Sequence, residues 1–132
     1  MGKNVAVDGC ELEDVTGGGT VTITGTASTA VLAGGKGIFF GDVAVSVSGS
    51  NGDGSITDNN GAGTGTIRGS GENICENGEN ICENGQPALL EGDTATVKVS
   101  GTSTSGSTVT PVGPIEITIK VKKAGQTDVI AL

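Results

Sequence analysis

Residues 66–101 read TIRGSGENICENGENICENGQPALLEGDTATVKVSG and follow the same plan as residues 22–49, which read TITGTASTAVLAGGKGIFFGDVAVSVSG. Each copy begins with Thr-Ile-x-Gly, continues through a small-residue turn and an apolar pair to Gly-Asp, and ends in an alternating stretch closed by Val-Ser-Gly. A repeated plan of this length indicates two structural modules. We place them at about residues 20–49 and 64–101.

The second module is the longer one because it carries a local duplication. ENICENG at residues 72–78 recurs unchanged at residues 79–85, and removing one copy restores the register up to Gly41-Asp42 and Gly92-Asp93. We interpret each Gly-Asp pair as a turn, in which glycine supplies conformational freedom and aspartate accepts hydrogen bonds from backbone N–H groups.

Alternating apolar and polar residues predict strands with one buried and one exposed face. The pattern occurs at residues 20–24, 43–47, 95–99 and 115–122. Helical periodicity is nearly absent, and the frequent Gly, Ser, Thr and Val are poor helix formers. The sequence therefore predicts a small all-β protein that forms a single domain over residues 1–132.

The core has to be built from aliphatic side chains, because the chain contains no Trp or Tyr and only two Phe. One strand-and-turn module cannot bury its apolar face alone, so we expect the two modules to pack about a shared pseudo-symmetry axis. The residues expected in this core are Ile23, Val31, Phe39, Val45, Val47, Ile67, Ile74, Leu89, Val97 and Val99. The polar stretches Ser50–Gly63 and Thr102–Pro114 are predicted to be exposed loops.

The composition excludes several functions. The chain has no His, so a Ser-His-Asp triad and a His-based zinc site are excluded. We therefore predict no enzyme activity and assign no catalytic, cofactor-binding or metal-binding residues. The formal net charge of −8 disfavours binding to nucleic acid and to anionic lipid. The sequence shows no membrane-spanning apolar run and no signal-peptide pattern, so synthesis in the cytosol is expected.

The repeated plan resembles that of the PAAR-repeat proteins over about residues 20–101. In the first module the resemblance is carried by Ile23-Thr24-Gly25, Gly35-Lys36-Gly37 and Gly41-Asp42. In the second module, which is the closer match, it is carried by Ile67-Arg68-Gly69-Ser70, Asn84-Gly85-Gln86-Pro87-Ala88 and Gly92-Asp93.

The resemblance implies a small cone-shaped β-structure of pseudo-threefold plan. Such a protein caps and sharpens the central spike of a contractile injection apparatus, in a phage tail, a type VI secretion system or an extracellular injection particle. The implied partner is a homotrimeric β-helical spike protein that binds one copy per trimer, with only transient contact to the target membrane during puncture. A monomer on a trimer needs three similar parts, so the N-terminus and residues 114–132 are expected to supply the third. Assembly would take place in the cytoplasm, and the protein would leave the cell with the virion or particle.

One departure from the PAAR-like tips concerns metal. Those tips typically hold a metal through histidines and a cysteine, and this chain has no histidine. Cys10, Cys75 and Cys82 are odd in number and lack the short spacing of thiolate zinc sites, so we treat them as free thiols and predict no metal and no other cofactor. The alternative is that the three thiols meet at one point with a carboxylate.

Other functions are compatible with the same residues. A β-sandwich adhesion or capsid-decoration module would bind a protein lattice or a glycan through the two polar stretches. Ice or crystal-surface binding would use a threonine strip, for which a solvent-facing edge strand is the simpler interpretation; the strip consists of Thr20, Thr22, Thr24 and Thr26.

Two further polar groups of residues have a structural and a functional interpretation each. Residues 51–58 (NGDGSITD) have oxygen ligands at alternate positions but lack the features of a calcium-binding loop, so we predict a hydrated turn. Lys120, Lys122 and Lys123 lie on the polar face of the last predicted strand. They are either a solvated edge or a docking contact for an acidic partner.

Overall fold

The computed structural model describes residues 3–71, 74–76, 79–81, 87–127 and 129–131, with side chains for 3–71, 87–127 and 129–130. Within these residues the secondary structure consists of strands and turns, without a helix, so the all-β prediction is confirmed. The strands are β1 (Lys3–Asn4), β2 (Glu11–Asp14), β3 (Thr20–Ile23), β4 (Leu32–Ala33), β5 (Lys36–Gly37), β6 (Asp42–Ser50), β7 (Gly61–Arg68), β8 (Ile74–Glu76), β9 (Glu79–Ile81), β10 (Thr94–Ser105), β11 (Thr108–Lys123) and β12 (Ile130–Ala131).

Six of the strands form one antiparallel sheet that nearly closes into a barrel. Their order is β2-β11-β10-β7-β6-β3. The two end strands, β2 and β3, are joined by the turn at residues 15–19 and lie near each other. No backbone hydrogen bond joins them within the described part of the chain. We call this gap the β2–β3 seam.

The barrel core follows the alternation seen in the sequence. Seven residues of the predicted core are buried together inside it, namely Phe39, Val45, Val47, Ile67, Leu89, Val97 and Val99. Ile23 packs against this core while remaining partly exposed, and Val31 packs against a second, smaller core. The prediction for Ile74 concerns a side chain outside the described ones. Each fully buried aliphatic side chain contributes about 1.5–3 kcal/mol, so the barrel holds most of the apolar stabilisation.

A closed ring of backbone hydrogen bonds lies at one end of the barrel. The N–H of Ala6 donates to the C=O of Leu89 (2.7 Å), that of Leu89 to Phe39 (2.9 Å), and that of Phe39 back to Ala6 (3.2 Å). We call the three segments that form it, Val5–Val7, Ile38–Phe40 and Ala88–Leu90, the threefold ring.

A second set of bonds joins the same three segments in a cycle that runs in the opposite donor-to-acceptor direction. The donors lie two residues after the first set and the acceptors two residues before it. The pairs are Asp8 to Gly37 (2.8 Å), Gly41 to Pro87 (2.8 Å) and Glu91 to Asn4 (2.9 Å). Antiparallel bridges between the ring segments keep the same order and join Val7 with Ile38, Phe40 with Ala88, and Leu90 with Val5.

The barrel strands obey the same threefold order as the ring. Each ring segment is followed by two strands, β2 and β3, β6 and β7, or β10 and β11. The second strand of each pair is hydrogen-bonded to the first strand of the next, as β3 to β6, β7 to β10, and β11 to β2. The backbone of this single chain therefore has a pseudo-threefold plan. The cone-shaped taper stays a prediction.

The ring separates two hydrophobic cores because its residues alternate in direction. Ala6, Phe39 and Leu89 point into the barrel core. The flanking ring residues pack on the other side, in a second core formed by Val5, Val7, Ala33, Ile38, Ala88, Leu90 and Val129. The ring is thus a buried layer with apolar contacts on both faces.

The third unit of the plan combines both ends of the chain. The N–H of Val5 donates to the C=O of Val129 (3.1 Å) and that of Val7 to Ala124 (3.0 Å), while β1 pairs with β12. The segment after β11 therefore runs beside the N-terminal ring segment. In the other two units the chain runs on from a barrel strand into the ring segment, from β3 to Ile38–Phe40 and from β7 to Ala88–Leu90. The same link between β11 and Val5–Val7 is made by hydrogen bonds.

The two polar stretches differ from the predicted exposed loops. Most of Thr102–Pro114 is a β-hairpin, in which β10 and β11 continue past the barrel and turn at Gly106. Its alternating β-branched threonines and valines favour strand over loop. We call residues 101–114 the hairpin arm. The other stretch does contain a loop, at residues 51–60, but Ser50 and Ile56 are fully buried.

The architecture also differs from the β-sandwich of the alternative prediction. Both sequence repeats contribute strands to the same six-stranded sheet, through β3 and β6 in one repeat and β7 and β10 in the other. The repeats pair with each other edge to edge, since β6 is hydrogen-bonded to β7. They are not placed in two sheets packed face to face.

Candidate functional site

The two Gly-Asp turns that follow ring segments have similar backbone conformations, but their aspartates have different partners. Gly41 and Gly92 have positive φ angles of 68° and 93°, as expected for the Gly-Asp turns. The carboxylate of Asp93 accepts hydrogen bonds from the N–H of Leu90 (2.8 Å) and the hydroxyl of Ser70 (2.6 Å), so this turn matches the prediction. Asp42 is exposed and instead forms a salt bridge with Arg68 (3.1 Å), so the prediction for Asp42 is wrong.

A dense polar cluster holds the turn between β2 and β3. Oδ1 of Asp14 accepts hydrogen bonds from the N–H groups of Gly17 (2.7 Å) and Thr16 (3.0 Å). Oδ2 accepts from the N–H of Gly19 (3.1 Å) and the hydroxyl of Ser50 (2.6 Å). This cluster could not be predicted from the sequence, because Ser50 reaches Asp14 only through the pairing of β6 with β3.

The pKa of Asp14 reflects two opposing effects. Burial of the carboxyl group raises its pKa, whereas the hydrogen bonds from Gly17, Ser50, Gly19 and Thr16 stabilise the carboxylate and together lower the pKa below its usual value. A carboxylate with all of its acceptor positions used in this way is a structural group and is not available as a general base.

Clefts open along the β2–β3 seam. Two adjoining ones have volumes of about 250 and 350 Å³. The apolar residues among those that line them are Leu12, Val21, Ile23 and Phe39. Their charged lining residues are Asp8, Glu11, Glu13 and Lys122, so acidic groups are in excess there.

The free edges of β2 and β3 point their backbone polar groups into the seam. The N–H of Val15 donates to the C=O of Thr118 on β11. Backbone N–H and C=O groups alternate in direction along a strand, so those of Leu12, three residues earlier, point away from β11 and into the seam. The N–H of Thr24 donates to the C=O of Ala44 and continues the pairing of β3 with β6. By the same alternation, the backbone N–H and C=O groups of Val21 and Ile23 point away from β6 and into the seam. No partner for these groups lies among the residues that the structure describes.

Cys10 lies half-buried in the wall of the smaller cleft. Burial, together with the nearby negative charge of Asp8, raises the pKa of the Cys10 thiol to about 11. The thiol is therefore neutral near pH 7. A neutral thiol is a poor nucleophile and a poor metal ligand.

The side chains that the structure describes do not form the kind of metal site that PAAR-like tips typically hold. Within the described ranges, no group of three or more His, Cys, Asp or Glu side chains is placed to bind a metal ion. The backbone of Cys75 pairs with Ile130, but its side chain and the whole of Cys82 lie outside the described part of the structure. We assign no step of the function to a metal.

Two of the three lysines of β11 have acidic neighbours. Lys123 Nζ lies 4.0 Å from Glu11 Oε2, and Lys120 is the register partner of Glu13. All three lysines are exposed. Because β11 lies between β2 and β10 in the sheet, the lysines are not on an edge strand, and the solvated-edge interpretation is wrong in that respect. The acidic neighbours make this surface mixed in charge, so it is not a purely basic docking patch.

The threonine strip lies on an end strand of the barrel sheet, as the edge-strand interpretation predicted. Thr20, Thr22, Thr24 and Thr26 are exposed, and β3 has a hydrogen-bonded neighbour on one side only within the described residues. Solvated hydroxyl groups on such a strand are ordinary surface chemistry.

Residues 51–58 form a hydrogen-bonded turn, in agreement with the prediction. Asp53 accepts hydrogen bonds from the hydroxyl (2.6 Å) and the N–H (3.1 Å) of Ser55, which lower its pKa. Asp58 accepts hydrogen bonds from the hydroxyls of Thr102 and Thr104, both at 2.7 Å, and its pKa is also lowered. These carboxylates tie the loop to itself and to the hairpin arm.

Comparison of the chain with protein-family models, with curated proteins and with solved structures gives no match. In the described part of the chain, no helix is long and apolar enough to cross a membrane. The function therefore has to be inferred from the pseudo-threefold backbone and the β2–β3 seam.

Proposed function

We propose that this protein is the tip of the central spike in a contractile injection apparatus. It is a structural, non-enzymatic part that caps a homotrimeric β-helical partner, with one copy bound per trimer. The observation that carries this proposal is the threefold ring. In it, Ala6, Phe39 and Leu89 of one chain donate and accept backbone hydrogen bonds in cyclic order.

Symmetry is the physical reason that the ring supports this function. A monomer can seat squarely on a trimer only if it offers three similar surfaces about one axis. The ring, and the strand pairs that follow each of its segments, give this chain three similar backbone units.

The polar groups also support a mechanical role. Asp14 and Asp93 are buried and hold turns through several hydrogen bonds each. Glycines allow close backbone approach at several points, as at Gly63, where the carbonyl oxygen of Lys98 lies too close to leave room for a Cβ atom. Close-packed backbone and satisfied turns support the stiffness that transmitting force requires.

The proposal is tested by co-expressing the protein with trimeric spike proteins encoded by neighbouring reading frames and measuring the mass of the purified complex. The expected result is one copy of this chain per spike trimer. The matched control is the same spike shortened at its distal end, which should remain trimeric and lose binding. Three copies per trimer, or no complex with any such spike, would overturn the proposal.

A further inference from the structure

We infer that the β2–β3 seam binds an extended segment of a partner protein by strand addition. The segment pairs with the free edge of β3 and lies across Leu12, with its basic side chains towards the acidic residues of β2. Its sequence alternates apolar residues with Lys or Arg. This inference does not depend on the proposed function.

The seam breaks the threefold order of the barrel at one place. The two strands that follow the ring segment Ile38–Phe40, β6 and β7, are hydrogen-bonded along their length. The same holds for β10 and β11, which follow Ala88–Leu90. The equivalent strands β2 and β3 are not paired. One of the six junctions between neighbouring strands is thus left without hydrogen bonds.

The free edge of β3 offers the pattern that strand addition requires. The N–H and C=O groups of Val21 and Ile23 point into the seam from alternate positions of one strand, and those of Leu12 face them from β2. An added strand forms backbone hydrogen bonds with such alternate residues. Neither β2 nor β3 contains a proline or a lysine that would discourage pairing.

The hairpin arm shows how this chain protects another free edge. The backbone of Thr102 is hydrogen-bonded to the loop at residues 51–60. Its N–H donates to Asn60 Oδ1 (2.9 Å), and its C=O accepts from the N–H of Asp58 (3.2 Å). Its register partner Pro111 therefore faces the free edge of β11, where proline has no N–H to offer. Pro111 thus interrupts the row of N–H groups at the arm edge, whereas no proline interrupts the edges of β2 and β3 at the seam.

The side chains of the seam define the composition of the segment. The apolar lining residues Leu12, Val21 and Ile23 are only partly buried, so an apolar side chain placed over them removes further apolar surface from water. Asp8, Glu11 and Glu13 outnumber Lys122 among the charged lining residues, and the exposed pair of Glu11 with Lys123 (4.0 Å) offsets only part of this acidic charge. Lysine or arginine at alternate positions of the segment complements this charge.

The probe is a peptide with the sequence of residues 117–123, ITIKVKK, which already pairs with the other edge of β2 as part of β11. The matched control peptide is ITIEVEE. We expect ITIKVKK to slow hydrogen exchange at the amides of Val21 and Ile23 at least tenfold in NMR experiments, and ITIEVEE to leave them unchanged. Unchanged exchange with ITIKVKK, or equal protection by both peptides, would overturn the inference. Loss of protection at Lys120 would also overturn it, because the peptide would then have replaced β11.

Two pairs of variants test the location. In Val21→Pro the N–H that faces the seam is removed while the bonds to β6 remain, so we expect the affinity for ITIKVKK to fall at least fivefold. Val109→Pro removes an N–H at the arm edge in the same way and should leave the affinity unchanged. Glu13→Lys should weaken binding, whereas Glu116→Lys, which makes the same charge change on β11, should have a smaller effect. An equal effect within both pairs contradicts binding at the seam. Thermal unfolding confirms that each variant is folded.

Discussion

Ala6 donates its N–H to the C=O of Leu89 at 2.7 Å, although one residue belongs to the N-terminal ring segment and the other to the second sequence repeat. This bond is one of the three that close the threefold ring, and all three ring segments are needed to close it. It depends on the C-terminal segment, which holds Val5 and Val7 in place through Val129 and Ala124. The repeats are therefore two thirds of a unit that both chain ends complete.

The contribution of both chain ends to one unit predicts that the chain can be circularly permuted. A permutant that joins the present termini by a short Gly/Ser linker and opens at Gly106–Ser107, the exposed tip of the hairpin arm, should fold with a melting temperature within about 10 °C of the parent. Thermal unfolding followed by circular dichroism measures this. A control permutant opened within β6 should not fold. Failure of the arm permutant to fold would contradict the arrangement of the two ends.

The glycine of the Thr-Ile-x-Gly motif is under tighter steric constraint in the second repeat than in the first. A Cβ atom at Gly69 would meet the backbone C=O of Ala88 within the ring, whereas at Gly25 the nearest atom, the backbone N of Ala44, lies 3.1 Å away. We expect Gly69→Ala to lower the free energy of unfolding by about 1–3 kcal/mol. Gly25→Ala should change it by less than about 1 kcal/mol, because reduced freedom of the unfolded chain offsets mild crowding. Urea unfolding compares them, and equal costs would contradict the close approach at Gly69.

Asp14→Asn tests the cluster at the turn between β2 and β3. The substitution places an NH₂ group or a weaker acceptor against the N–H of Gly19 and the hydroxyl of Ser50, so we expect a loss of about 1–3 kcal/mol at pH 7. Asp42→Asn is the matched control, since Asp42 is exposed and its ion pair with Arg68 should contribute less than about 1 kcal/mol.

The stability contributed by Asp14 should depend on pH. The pKa of Asp14 is lower in the folded protein than in the unfolded chain, where it is about 3.9. The stabilising effect of the carboxylate is therefore complete above about pH 5 and is lost as the pH falls through the folded pKa. The difference in unfolding free energy between wild type and Asp14→Asn should shrink as the pH falls from 5 to 2. A difference that stays constant over this range would contradict the hydrogen-bonded carboxylate.

The Cys10 thiol should react slowly. At pH 8, a pKa of about 11 leaves about one thiol in a thousand ionised. In a Cys75→Ser/Cys82→Ser background we expect iodoacetamide to alkylate Cys10 at least about 100-fold more slowly than a model thiol, and unfolding in urea to restore the ordinary rate. Asp8→Asn should accelerate the reaction in the folded protein, because it removes the negative charge that helps to raise the pKa. Rapid alkylation of the folded protein would contradict the burial.

The repeat and the period-two alternation were sufficient to predict the strand class and most of the core. Val45 and Val47 in one repeat and Val97 and Val99 in the other are buried, because alternation fixes which face of a strand is apolar. The hairpin arm was missed because its Ser, Thr, Gly and Pro content is also that of loops. Its strands form through pairing with each other and through Asp58, which bonds to Thr102 and Thr104.

The seam could not be predicted from the sequence, because it arises from a strand pairing that is absent. Residues 11–14 and 20–23 contain nothing that forbids a hairpin, and the other two equivalent pairs do form one. Asp14 was missed for a related reason: its partner Ser50 is distant in sequence, and only the register of β3 with β6 brings them together. Local patterns do not encode such long-range contacts.

The cooperativity of the threefold ring is the most direct measure of whether one chain closes it as a single unit. Native-state hydrogen exchange of the amides of Ala6, Phe39 and Leu89 reports the free energy of opening at each of the three steps. We expect all three amides to exchange only through global unfolding, with the same free energy as denaturant unfolding gives. An opening free energy for Ala6 that is more than about 2 kcal/mol below those of Phe39 and Leu89 would contradict the closed ring.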